Sequence, residues 1–246
     1  MSKIIILLFS ITFIFNHNCF SQVLNDSSKI DFTFGADISS RYLWRGMELS
    51  KSPCIQPSAS FSIGNFSISS WSSYTFNNEA LQEFDLNISY SIKNTTICIN
   101  DYFLPNETIA NNKYFNYAAN KTSHAIEASV KYSSEKTPIS LTLGTFIFGA
   151  DKNYGFELDK DSLDQNYYSS YAELEYSFII KNNKINAFCG FTPWAGIYGN
   201  TLGIVNIGIS MSKEIEITDR FSLPIKGMIM ANPQSQNIYF GTIISF

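Results

Sequence analysis

The sequence predicts an all-β chain: a transmembrane, up-and-down antiparallel β-barrel of about twelve strands. Three observations carry that expectation. First, segments of about ten residues alternate apolar with small or polar side chains, and in a strand successive side chains point to opposite faces. Glu83 to Ile92 is the cleanest case, with Phe84, Leu86, Ile88, Tyr90 and Ile92 on one face and Asp85, Asn87, Ser89 and Ser91 on the other. Second, the connections between these segments alternate short and long. Third, the chain stops on such a segment, Gln236 to Phe246, with no polar tail. Its apolar face, Ile238, Phe240, Ile244 and Phe246, is broken only by Thr242; Ile243 is the one apolar residue on the polar side.

Composition agrees. Charged residues make up 15% of the 246, against roughly 25% in soluble domains. Aromatics are another 15%, with 21 Phe and 14 Tyr. Mean hydropathy is −0.03, far below that of a helical membrane protein but natural for strands with one lipid face and one wet face. A net charge of −4 with no basic run argues against a nucleic-acid partner.

Met1 to Ser21 reads as a secretory signal peptide. Lys3 is its positive start, Ile4 to Phe15 its apolar stretch and Cys19-Phe20-Ser21 its cleavage site. No later run is long and apolar enough for a spanning helix. Cys54, Cys98 and Cys189 then remain, an odd number, and are expected to be small fillers rather than a disulfide framework. No Cys-x-x-Cys spacing occurs and one His is left after the signal, so no metal and no cofactor is expected.

After a short polar tail, residues 22–30, the strands follow in order over residues 31–246. Asp31 to Tyr42 sets Phe32, Phe34, Ala36 and Ile38 against Asp31, Thr33, Gly35, Asp37 and Ser39. Pro53 to Ile63 sets Ile55, Ala59, Phe61 and Ile63 against Gln56, Ser58, Ser60 and Ser62. Phe66 to Thr75 follows the Gly64-Asn65 hairpin turn, its period blurred around Trp71. Glu83 to Ile92, Thr95 to Leu104, Ser123 to Ser133, Pro138 to Phe148 and Tyr168 to Ile180 continue the series. Lys184 to Trp194, Gly203 to Lys213, Phe221 to Met230 and the terminal segment complete it.

Short connections are Gly64-Asn65, Lys93-Asn94, Ser134 to Thr137, Lys181 to Asn183 and Glu214 to Arg220. Most of those between them are longer: Leu43 to Ser52, Phe76 to Gln82, Pro105 to Thr122, Gly149 to Tyr167, Ala195 to Leu202 and Ala231 to Ser235. Outer-membrane barrels sort their loops in this way, with short periplasmic turns and longer outer loops, and an even strand count puts both termini in the periplasm. Trp44, Trp71 and Trp194 all lie toward the long-loop side and are expected in an aromatic girdle there.

The terminal strand resembles that of bacterial outer-membrane barrels, which ends on an aromatic residue and is recognised by the barrel assembly machinery. Phe240 and Phe246 carry that resemblance. A second run is more distinctive: Ser40-Arg41-Tyr42-Leu43-Trp44-Arg45-Gly46. It resembles the Ser-x-Tyr-x-x-Arg-Gly core, after the first strand, of the TorF family of porin-type barrels, matched by Ser40, Tyr42, Arg45 and Gly46. The resemblance covers roughly residues 31 to 75 and the closing strand, and implies an outer-membrane barrel without naming a solute.

Charges that alternation sends inward are Asp31, Asp37, Asp85, Glu127, Lys131, Glu173, Glu175 and Lys226. In lipid each would be costly, so the lumen is their place. Arg41 and Arg45 are candidates for the mouth, where they would favour anions. The alternative is that they reach lipid phosphates or pair with Asp37 and Glu48. The expectation is a cell-outer-membrane protein of a Gram-negative bacterium giving small solutes passive passage, bounded by outer-membrane lipid, with any constriction coming from the two longest loops. A filled barrel acting as a surface binding or adhesion protein is the alternative. Catalysis is not expected. His124, the one candidate for a barrel lipid hydrolase, has Ser123 and Ser129 on the opposite face of a regular strand.

Overall fold

The computed structural model of the protein describes residues 30–77, 82–105, 113–119, 121–152, 165–181, 183–219 and 221–246. The expected signal peptide and, Ile30 apart, the N-terminal tail lie outside them. The strands are β1 (Ile30–Ser39), β2 (Tyr42–Trp44), β3 (Met47–Ser50), β4 (Cys54–Ile63), β5 (Phe66–Thr75), β6 (Gln82–Ile92) and β7 (Thr95–Phe103). They continue as β8 (His124–Ser133), β9 (Ile139–Gly149), β10 (Ser170–Ile180), β11 (Asn183–Thr192), β12 (Gly203–Thr218), β13 (Phe221–Asn232) and β14 (Asn237–Ser245). β1 and β4 to β14 form one closed antiparallel barrel in sequence order, the twelve-stranded up-and-down arrangement expected, while β2 and β3 form a separate two-stranded hairpin.

The last residues of the chain close the ring. Ser245, Ile244 and Ile243 of β14 pair with Asp37, Ile38 and Ser39 of β1. Phe246 N donates to Ala36 O at 2.9 Å, and Ser40 N to Thr242 O at 2.9 Å. Closure leaves no unpaired strand edge.

The two faces of the wall are sorted as the alternation demands. Ile88 is 47% exposed and Tyr90 49% on the outside, while between and before them Ser89 is 9% and Asp85 1% exposed inside. Phe32, Phe34, Ile99, Leu143, Leu174, Ile209, Ile229, Ile238 and Phe240 continue the apolar exterior around the ring. Asp37, Gln56, Asn100, Glu127, Asn186, Asn206, Ser210 and Lys226 continue the polar interior.

Strand ends moved where local geometry overrode the pattern. β1 stops at Ser39, not Tyr42, because Ser40 turns the chain inward on Thr242. β10 starts at Ser170, not Tyr168, since Tyr168 has φ 51°, incompatible with a ladder. β12 runs on to Thr218, so the expected connection from Glu214 is largely strand, paired with Phe221 to Pro224 of β13. The expected Trp girdle is corrected for two residues: Trp44 and Trp71 pack inside the barrel, and only Trp194 is exposed. Cys54 and Cys189 are free thiols, and Cys54 and Cys98 are buried.

Candidate functional site

The Ser-x-Tyr-x-x-Arg-Gly run is a hairpin folded into the lumen at the long-loop end. Ser40 starts it, clamped to β14 at both ends of one residue: Thr242 N donates to Ser40 Oγ at 3.0 Å while Ser40 N bonds Thr242 O. Ser39 Oγ donates to Arg41 O at 2.6 Å and bends the chain off the wall. β2 and β3 then pair across a turn whose central residues, Arg45 and Gly46, have φ 46° and 85°. Two positive φ values in a two-residue hairpin loop make a type I′ turn, normally the province of Asn-Gly. Arginine there costs roughly 1 kcal/mol of backbone strain, so its side chain must return more than that.

It does so through contacts on every side. Arg45 Nη1 and Nη2 donate to Glu127 Oε1 and Oε2 at 2.5 and 3.1 Å, a bidentate pair. Arg45 Nη1 also donates to the Tyr198 hydroxyl. The guanidinium lies 4.8 Å from the ring centres of both Trp44 and Tyr171 and 5.6 Å from that of Tyr198, within cation–π range. Glu127 on β8 is fully buried, and its remaining acceptor capacity is filled by Asn100 Nδ2 at 3.1 Å and Tyr102 OH at 3.0 Å. A buried ion pair is tolerated only when saturated in this way. Burial pushes the Tyr198 phenol up even though Arg45 beside it pulls the other way.

Packing fixes the rest of the hairpin. Tyr42 sits against Trp71, ring centres 5.5 Å apart. Trp44 meets Tyr102 at 5.7 Å and Tyr198 at 5.6 Å. Gly46 packs so closely on β12 that a Cβ would overlap the Val205 carbonyl, and Asn232 Nδ2 donates to Gly46 O at 3.2 Å. A bulge between Gly190 and Phe191 shifts the β11–β12 register there, and Val205 and Asn206, consecutive in β12, are both buried. The result is an aromatic layer of Trp44, Tyr102, Phe146, Tyr171 and Tyr198 across the barrel.

Beneath the layer a cavity of about 90 Å³ is bounded by Arg41, Glu173, Glu175, Asn206, Lys226 and Ile243, among others. Ile243, the apolar residue on the polar side of the last strand, thus faces this space. Tyr171 OH donates to Glu173, and Asn206 Nδ2 donates to Tyr171 OH at 2.8 Å and to Glu173 Oε2 at 2.9 Å.

The charged candidates lie on the inner side, but not in one role. Arg45 and Glu127 form the central pair. Arg41 pairs with Glu48 at 2.7 Å, the alternative foreseen for it, whereas Arg45 pairs with neither Asp37 nor Glu48. Glu173, Glu175 and Lys226 line the cavity; Asp37, Asp85 and Lys131 do not. Asp85 shares the inner face of β6 with Glu83, a residue the sequence reading left out; both are buried. Constriction comes from the first loop and from Tyr198 of the β11–β12 connection. Most of the two longest loops, from which it was expected, lies outside the described residues. Phe240 and Phe246 point outward and are 59% and 64% exposed.

His124 sits on the outer wall under residues 113–119. Its Nδ1 bonds Asp101 Oδ1 at 2.8 Å and its Nε2 the Tyr114 carbonyl at 2.5 Å. Tyr117 stacks on the ring at 4.1 Å, and its hydroxyl donates to Asp101 Oδ2 at 2.9 Å. Both ring nitrogens are engaged, and Ser129 bonds Asn100 inside the barrel. The arrangement pins the segment to the wall. In a His124→Ala variant, trypsin is expected to cut after Lys113 and Lys121 at least tenfold faster than in the parent, while β-sheet circular dichroism stays unchanged. Equal cleavage rates would show that the histidine holds nothing.

Compared with protein-family models and with curated proteins, the chain matches none.

Proposed function

We propose that this chain is an outer-membrane β-barrel of a Gram-negative bacterium, a passive channel for small solutes that its own first hairpin narrows. The observation that carries the reading is the sorting of polarity: an apolar exterior all round a closed ring, with charged and amide side chains inside. In water that exterior would be a patch far beyond the few hundred Å² a soluble monomer exposes. In a bilayer it is the required surface, and the lumen is the place for Asp37, Lys131, Glu173 and Lys226. The short turns would then face the periplasm and the long loops the outside. Phe240 and Phe246 on the outer face of β14 are what the assembly machinery would read. The reading assigns no catalysis.

The aromatic layer makes the passage narrow, so the expected result in planar bilayers is small, discrete conductance steps from the wild type, rising when the hairpin is loosened. A baseline without steps from both forms would refute the channel.

A further inference from the structure

We infer that the cavity beneath the hairpin is a binding site for a small zwitterion, a solute carrying an ammonium and a carboxylate on one short frame, as an α-amino acid does.

One wall of this space is fixed in place: Tyr171 OH and Asn206 Nδ2 both donate to Glu173 Oε2, which holds that carboxylate against the cavity.

The charges around the same space are also of both signs. Glu173 and Glu175, two residues apart on the inner face of β10, supply carboxylates. Lys226 of β13 and Arg41 supply cations, and Arg41 spends one nitrogen on Glu48. A lone anion would gain from Lys226 and Arg41 but meet two carboxylates; a lone cation would meet the reverse. A solute bearing both charges meets a partner for each, and it leaves neither charge uncompensated in a confined, poorly hydrated space. Arg45 also bounds the cavity, but its charge is already met by the Glu127 carboxylate. The volume suits a small solute, since about 90 Å³ is room for several waters at roughly 10–15 Å³ each.

The inference rests on the lumen geometry. It draws on the channel reading only for how the solute is supplied, so the two fail separately. The test is calorimetric titration of the folded wild-type barrel in detergent with glycine, methylammonium and acetate. Glycine is expected to bind saturably, and methylammonium and acetate, each carrying half of its groups, at least tenfold more weakly. Glu173→Gln/Glu175→Gln and Lys226→Met are each expected to weaken glycine tenfold or more, with near-ultraviolet circular dichroism confirming that the variants are folded. No saturable glycine binding to the folded wild type overturns the inference. So does binding of either half-ligand as tight as that of glycine. Conductance plays no part in the readout: glycine binding without conductance sinks the channel alone, and conductance without glycine binding sinks this site alone.

Discussion

Arg45→Ala is expected to release the hairpin and raise conductance several-fold. The substitution removes a guanidinium held by Glu127, Tyr198 and three ring faces, and leaves Glu127 buried with only Asn100 and Tyr102 as donors. Removing one partner of a buried ion pair costs about 3–5 kcal/mol. That cost falls on the docked hairpin. The barrel wall does not depend on it, because each wall strand is held by backbone ladders to two neighbours. At 1.4 kcal/mol per factor of ten, even the lower figure shifts docking by roughly a hundredfold. Trypsin cleavage after Lys51, at the exit of the hairpin, should rise in parallel. Removing both charges, as Arg45→Met with Glu127→Leu, is expected to restore much of the docking, since a well-packed apolar pair can replace a buried ion pair at little cost. Single and double variants close a double-mutant cycle. If the singles conduct and resist trypsin as the parent does, the pair is not what holds the hairpin.

Ile88→Arg is expected to cost about 2–4 kcal/mol of stability in lipid vesicles, because it puts a cation on the outer wall near mid-height. Ile88 pairs with Ile68 on one side and Ile99 on the other, well inside three strands. Ile63→Arg, at the turn end of β4 next to Phe66, is expected to cost about 0–1 kcal/mol, since near the interface the guanidinium reaches headgroups. The two isoleucines are similarly exposed, 47% and 43%. In water, neither change at so exposed a site would exceed about 0.5 kcal/mol. Depth dependence is therefore the signature of hydrocarbon, and equal small effects at both sites would remove the bilayer from the account.

How much of this was legible in the sequence divides by physical cause. The wall strands were readable because a wall with one apolar and one polar face forces a period of two, and a register slip would turn every apolar side chain inward. Glu83 to Ile92, the cleanest alternation, is observed as β6 (Gln82–Ile92) for that reason. The hairpin was not readable as an inward element, because β2 and β3 are three and four residues long and a period cannot show itself over so few. Its residues were singled out, yet Arg45 was placed at the mouth rather than in the core. The signals that could have corrected this were present. Tyr102 and Tyr171 fall on the polar face of their strands, and bulky aromatics there need something inside the barrel to pack against. Trp71, which blurs the period of its strand, is another such residue, and Glu127 beside them requires a cation. Trp44 reads as a girdle residue in the sequence because an aromatic at a strand end fits either role until the chain beyond it is placed. Glu83 was overlooked because it stands at the start of its strand, where alternation gives least weight.

The central claim is that alternate residues of each wall strand face two different media. The most direct measurement is a nitroxide scan along β6 of the vesicle-reconstituted barrel, one label at a time from Phe84 to Tyr90, reading collisions with oxygen and with a water-soluble nickel complex. Oxygen collisions are expected to peak at Phe84, Leu86, Ile88 and Tyr90, and nickel collisions at Asp85, Asn87 and Ser89. Nickel reaching Ile88 as readily as Asn87, with no alternation in oxygen, would contradict the account.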